Sequence, residues 1–251
     1  MCTLILCRRP AHKWPLIIGS NRDEMLDREW KFPGRHWVNK NNIVGGLDKF
    51  AGGSWLGIND EGVFASVLNR KDSLGPLHGK RSRGELVLKA LNHLDAQSAA
   101  KTFLHFNGEN YRPFNLIIAD YKTAFWLRSI GKNSIECHNI PDGFSMFTAE
   151  DMNSPHCPRV QFNFPRFQTV NVPNPDVNNW KDWEELLAGI GSAHNISSHS
   201  TAICVPPISG FGTVNSSLVA VPNLDSGKIL KPVWRFSPGP PNINSFLAVP
   251  L

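Results

Sequence analysis

Met1-Cys2-Thr3-Leu4-Ile5-Leu6-Cys7 opens the chain, and Pro15-Leu16-Ile17-Ile18-Gly19-Ser20-Asn21-Arg22-Asp23-Glu24 follows a basic turn that contains Pro10. Two apolar runs on either side of such a turn predict a β-hairpin. Pairing them carries residue 2 alongside residues 19–24. Removal of the initiator Met, usual before a small side chain, places a thiol and an α-amine on one residue, Cys2. An amine with a reference pKa of roughly 8 serves as base for a thiol of roughly 8.5. The plain alternative is that Cys2 is a small buried hydrophobe. Cys7, inside the strand and without an α-amine, is expected in the core.

The block after the second run supplies the groups that would hold such a nucleophile. Asp23 either pairs with the Cys2 ammonium or simply closes a turn after the strand. Arg22 either steadies a thiolate or a substrate carboxylate, or forms a salt bridge to Glu24 or Asp27. Strand alternation puts Asn21 and Asp23 on one face and Arg22 and Glu24 on the other. Not all four then reach one sulfur unless the chain turns.

The bulk properties remove several functional classes. With 251 residues and 41% hydrophobic content, one folded domain covering residues 1–251 is expected. The formal net charge of +5 gathers only once, at Lys80-Arg81-Ser82-Arg83, and no basic stripe alternates with aromatics, so nucleic acid is not an expected partner. No run approaches the ~18 apolar residues of a membrane span. Arg8-Arg9 follow the first apolar run instead of preceding it, unlike a secretion signal, and the cytoplasm is the expected location. Five scattered cysteines form no disulfide framework. Cys137-His138 and His156-Cys157 offer metal-ligand types, yet adjacent strand residues point to opposite faces, so no metal site is expected.

Residues 25–42 read as a loop. A second hairpin runs through Gly52-Gly53-Ser54-Trp55-Leu56-Gly57-Ile58-Asn59 and Val63 to Asn69. Ser82-Arg83-Gly84-Glu85 fits a helix capping box, and Asp95 a second helix cap. Strands are expected at 114–119, 124–127, 134–137, 144–148, 216–221 and 229–236. A helix is expected around Trp180–Leu187. The proline-rich stretch 150–176 reads as mostly irregular, with room for a short helix between prolines, and Pro238-Gly239-Pro240-Pro241 as cover for a sheet edge. Blocks of strands beside blocks of helices indicate an α+β domain. Asn69, closing an apolar strand, either donates to the oxyanion of a tetrahedral intermediate or begins a turn. The glycines of 45–57 lack a phosphate-loop pattern.

Cys2, the Ser20–Glu24 block, the glycine-rich stretch ending at Asn59, Leu68-Asn69-Arg70 and Pro113-Phe114-Asn115-Leu116 together resemble the NRDE family, the transport and Golgi organisation protein 2 family. That family resembles N-terminal nucleophile hydrolases of the choloylglycine hydrolase and penicillin acylase kind. The resemblance implies a four-layer αββα sandwich, with Cys2 as nucleophile, Asp23 holding its amine, Asn69 in the oxyanion hole and Arg22 as the nearest counterpart of a site arginine. It implies a cysteine amidohydrolase acting on a non-peptide amide or thioester of a small, partly apolar molecule, with no cofactor required. Its other implication is a non-catalytic carrier of haem or an acyl-CoA-like lipid, for which His156-Cys157-Pro158 offers a thiol ligand to haem. The chain departs from the pattern twice. Thr148-Ala149-Glu150 stands where relatives read Ser-Asn, and Phe211-Gly212-Thr213-Val214 where they read Tyr-Gly-Thr-Arg, so a second oxyanion asparagine and an arginine are expected to be missing.

Overall fold

The computed structural model describes residues 2–191, 198–225 and 230–251. Its strands are β1 Thr3–Arg8, β2 Leu16–Met25, β3 Trp30–Gly34, β4 Ile43–Asp48, β5 Leu56–Asn59, β6 Phe64–Asn69, β7 Phe114–Ala119, β8 Ala124–Ser129, β9 Glu136–Asn139, β10 Gly143–Phe147, β11 Phe211–Val221, β12 Val233–Ser237 and β13 Leu247–Ala248. Its α-helices are α1 Gly84–Ala90, α2 Ala96–Phe103, α3 Pro158–Thr169, α4 Lys181–Leu187 and α5 Ser198–Thr201. The chain forms two compact units, one taking residues up to Asp27 together with Asp142–Pro250, the other Arg28–Pro141 with Leu251.

In the first unit the expected hairpin forms, with Thr3 paired to Asn21 and Arg8 to Leu16. It lies inside a six-stranded antiparallel sheet ordered β10-β1-β2-β11-β12-β13. Alternation assigns the faces. Ile5, Cys7 and Ile17 pack with Phe167 of α3 and with Trp183 and Leu187 of α4. The odd residues of β1 and β2 therefore face the helices, and Leu4, Leu6, Ile18, Ser20 and Arg22 face away from them. Cys7 is core, as expected. Gly19 permits the helix to approach, since a Cβ there would stand 3.1 Å from a ring carbon of Trp183.

The second unit is a seven-stranded antiparallel sheet in chain order, β3 to β9, whose core joins Phe114, Leu116 and Leu127 to Leu86 of α1 and Phe103 of α2. Asp95 caps α2 as expected, accepting from the Ser98 amide at 2.6 Å.

Several local expectations are corrected. The expected loop at 25–42 contains β3, an edge strand too short and too close to Pro33-Gly34 to announce itself. The capping box forms only in part: Ser82 Oγ accepts the Gly84 amide at 3.2 Å, but the N-cap position falls on Arg83 and the Glu85 carboxylate is engaged by Arg81 and Tyr111. The helix allowed for in the proline-rich stretch forms as α3, but it runs twelve residues through Pro165 instead of stopping between prolines, with Pro158 in the first turn, where its missing N–H costs nothing. The last expected strand begins at Val233, and Ile229 lies outside the described residues. Its outer neighbour is β13.

Candidate functional site

The hairpin register carries Cys2 one residue beyond the Thr3–Asn21 pair, opposite Arg22. Its sulfur lies 3.4 Å from both the backbone nitrogen and the backbone oxygen of Asp23. The thiol is pushed above its ordinary pKa, first by burial and then by the Asp23 charge.

Asp23 points to the helix face, where its carboxylate is held from two sides. Thr213 of β11 donates its hydroxyl to Oδ1 at 2.6 Å, and Arg159 of α3 stands 3.3 Å from Oδ2. The Thr213 oxygen itself accepts the Val205 backbone N–H at 2.7 Å, which commits the hydroxyl proton to the carboxylate. Arg159 also donates to Thr3 Oγ1 at 3.1 Å, tying the helix to the strand that leads to Cys2. The Asp23 side chain is 0% exposed and that of Arg159 9%. Burial of two ionisable groups is tolerated where they are paired and hydrogen-bonded, as these are.

Asn21 shares this face and pins the helical layer to the sheet, its Nδ2 donating to the Leu187 and Ile203 carbonyls at 2.8 and 3.1 Å. Arg22 lies on the opposite face, buried, with Nη2 3.7 Å from Glu24 Oε2. The four residues 21–24 thus divide between two faces, and Asp23 contacts Cys2 through its backbone. Asn69 ends β6 in the second unit, half-buried and paired in register with Phe114.

The two departures from the family pattern have definite structures. Ala149 is buried, flanked by Thr148, whose hydroxyl lies 3.5 Å from Cys157 Sγ, and by Glu150, which accepts from Ser154 at 2.6 Å. The second departure sits in a β-bulge: β11 pairs Thr213 with Asp23 but Asn215 with Arg22, leaving Val214 as the extra residue. A guanidinium still stands at Asp23, supplied by Arg159 from α3. Nothing local around Arg159 announced that role. Thr213 was visible only as part of a Gly-Thr pair.

Comparison with known proteins places the chain. A family model described as Transport and Golgi organisation 2 matches residues 1–230. The human Transport and Golgi organization protein 2 homolog is 38% identical over 122 residues, covering 46% of this chain and 43% of the relative, so the match spans less than half of that relative's length. Among solved structures, a Caenorhabditis elegans N-acylethanolamine-hydrolyzing acid amidase ortholog aligns over 99% of this chain and 100% of its own, with a TM-score of 0.61 at 14% identity. The conjugated bile acid hydrolase of Clostridium perfringens aligns over 100% and 97%, with a TM-score of 0.53 at 10% identity. The fold is that of the N-terminal nucleophile hydrolases.

Proposed function

The chain belongs to the Transport and Golgi organisation 2 family, and on that premise we propose that it is an N-terminal-cysteine amidohydrolase for a small, partly apolar acyl amide or thioester. The observation that carries the reading is the seat of Cys2, its sulfur 3.4 Å from both backbone groups of an aspartate that is itself locked by Thr213 and Arg159. Support comes from the fold neighbours, one described as hydrolysing N-acylethanolamines and the other conjugated bile acids.

In this reading Met1 is excised and the freed α-amine of Cys2 takes the thiol proton. The sulfur attacks the acyl carbon, and the carbonyl pair moves to oxygen. Return of that pair expels the leaving amine or thiol, which takes the proton from the α-amine. Water, deprotonated by the same amine, then hydrolyses the thioester and regenerates the thiol. Asp23 orients the amine through the fixed backbone of β2. Arg22, on the Cys2 face, stabilises developing negative charge, and Asn69 carries its oxyanion role on the sequence resemblance alone. The protein works as a cytoplasmic enzyme, consistent with five free cysteines.

Intact mass tests the premise: the expected mature chain lacks Met1, and a retained Met1 rejects the mechanism. Iodoacetamide is expected to label Cys2 and spare buried Cys7. Release of amine from a panel of N-acyl amides is expected in the wild type and absent in Cys2→Ala. Equal release by both would reject the assignment of the nucleophile.

One observation favours a second reading, a non-catalytic carrier of haem or an acyl-CoA-like lipid: the Cys2 thiol is pushed toward its protonated, less reactive form. Haem titration would then give a Soret shift that Cys157→Ala or Cys2→Ala removes. An unchanged spectrum in both variants rejects ligation by either thiol.

A further inference from the structure

Residues two apart on a regular strand share a face. The bulge at Val214 breaks that rule, so that Thr213 serves Asp23 on the helix face while Asn215 lies beside Arg22 on the other. Cys2, Arg22 and Asn215 consequently form one row across β1, β2 and β11. With strands about 4.8 Å apart, the ends of this row are about 10 Å apart at the backbone, and both side chains project over the same ground. Asn215 is 1% exposed, yet its Nδ2 has no hydrogen-bond partner among the described residues. Ser217, two residues further on the same face and 2% exposed, has an unpartnered Oγ in the same sense. Buried amides and hydroxyls are ordinarily paired, and bulges recur where a strand re-aims a side chain beside an active site.

We propose that Asn215 is a substrate-contacting residue of the Cys2 site, its Nδ2–H donating to the carbonyl oxygen of an acyl substrate and holding the charge that oxygen gains when the sulfur attacks. This assigns to β11 the second oxyanion asparagine that is absent from 148–150, and it rests on the hydrolase reading above. The substrate class it implies is an acyl compound whose carbonyl lies over Arg22 between β1 and β11.

Two reagents applied to the mature protein test this. With p-nitrophenyl butyrate, the Cys2 sulfur bonds to the acyl carbon, the carbonyl pair moves to oxygen and returns as p-nitrophenolate leaves, and the thiol proton passes to the α-amine. With iodoacetamide, the sulfur displaces iodide and no oxyanion forms. Removing an oxyanion donor costs about 100-fold or more in rate. Asn215→Ala and Asn215→Val are therefore expected to slow acylation of Cys2 by about 100-fold while alkylation stays within twofold, both read by peptide mass. Acylation that matches the wild type, or a parallel fall in both rates, overturns the inference. So does failure of both variants to fold, since an unpaired amide is dispensable to folding. Wild-type Cys2 that is alkylated but never acylated overturns the hydrolase reading and this inference with it. That outcome is seen without any variant.

Discussion

At the scale of single residues, the site turns on how completely Asp23 is satisfied. Thr213 and Arg159 each take one carboxylate oxygen, and Arg159 is itself buried. Removing one partner of a buried ion pair leaves an uncompensated charge, so Arg159→Met is expected to cost about 3–5 kcal/mol of stability in urea denaturation. Arg159→Lys keeps the charge and is expected to lose less. An equal loss in the two variants would show that packing, not charge, sets the cost. The Cys2 thiol responds to the same environment. Burial and the Asp23 carboxylate raise its pKa, so at pH 7 it holds less thiolate than a free cysteine. In a chain that retains Met1, where the Cys2 nitrogen is a peptide amide, its iodoacetamide rate is expected to climb with pH to a midpoint above the ordinary thiol value of about 8.5. A midpoint below that value would contradict the direction argued from burial.

At the scale of elements, two features of the second unit are decided by single positions. Asp95 caps α2, and hydrogen bonding from the Ser98 amide holds its carboxyl below the usual range. Asp95→Ala is expected to cost about 1 kcal/mol at pH 7. Because the folded pKa lies below the unfolded one, this contribution is fully present above the unfolded value of about 3.9 and fades as pH falls through the folded value. Wild-type and variant stabilities should therefore converge in strong acid, and a constant gap would reject the cap. Gly53 has a different constraint: a Cβ there would stand 2.5 Å from the Gly84 carbonyl carbon at the start of α1. Backbone cannot yield as a side-chain tip can, so Gly53→Ala is expected to lose about 1–3 kcal/mol by denaturant titration. Of the box at Ser82-Arg83-Gly84-Glu85 only the serine half survives, through the Gly84 amide. Glu85 matched the pattern, but Arg81 and Tyr111 claimed its carboxylate. A local signal holds only while no tertiary partner outbids it.

At the scale of the whole molecule, the five cysteines are free, with Cys2 and Cys137 half-buried and Cys7, Cys157 and Cys204 buried. A disulfide reagent is expected to count five thiols in denaturant and, in the native protein, to modify Cys2 and Cys137 well before the other three. Rapid native modification of Cys7 would contradict the burial of β1. Within each unit the same division between near and distant information recurs. Hydrophobic alternation and the turn at 8–13 were enough to read the first hairpin, and that hairpin alone brings Cys2 to Asp23, 21 residues away. What holds Asp23 came from much farther along the chain, Arg159 at a separation of 136 residues and Thr213 at 190. Local periodicity records which face of a strand is buried, because burial acts residue by residue as the chain alternates. It carries no record of which remote helix docks there or where a neighbouring strand takes an extra residue. The placement of Asn215 beside Arg22 was therefore settled only by the register of β11 against β2 and the bulge that interrupts it.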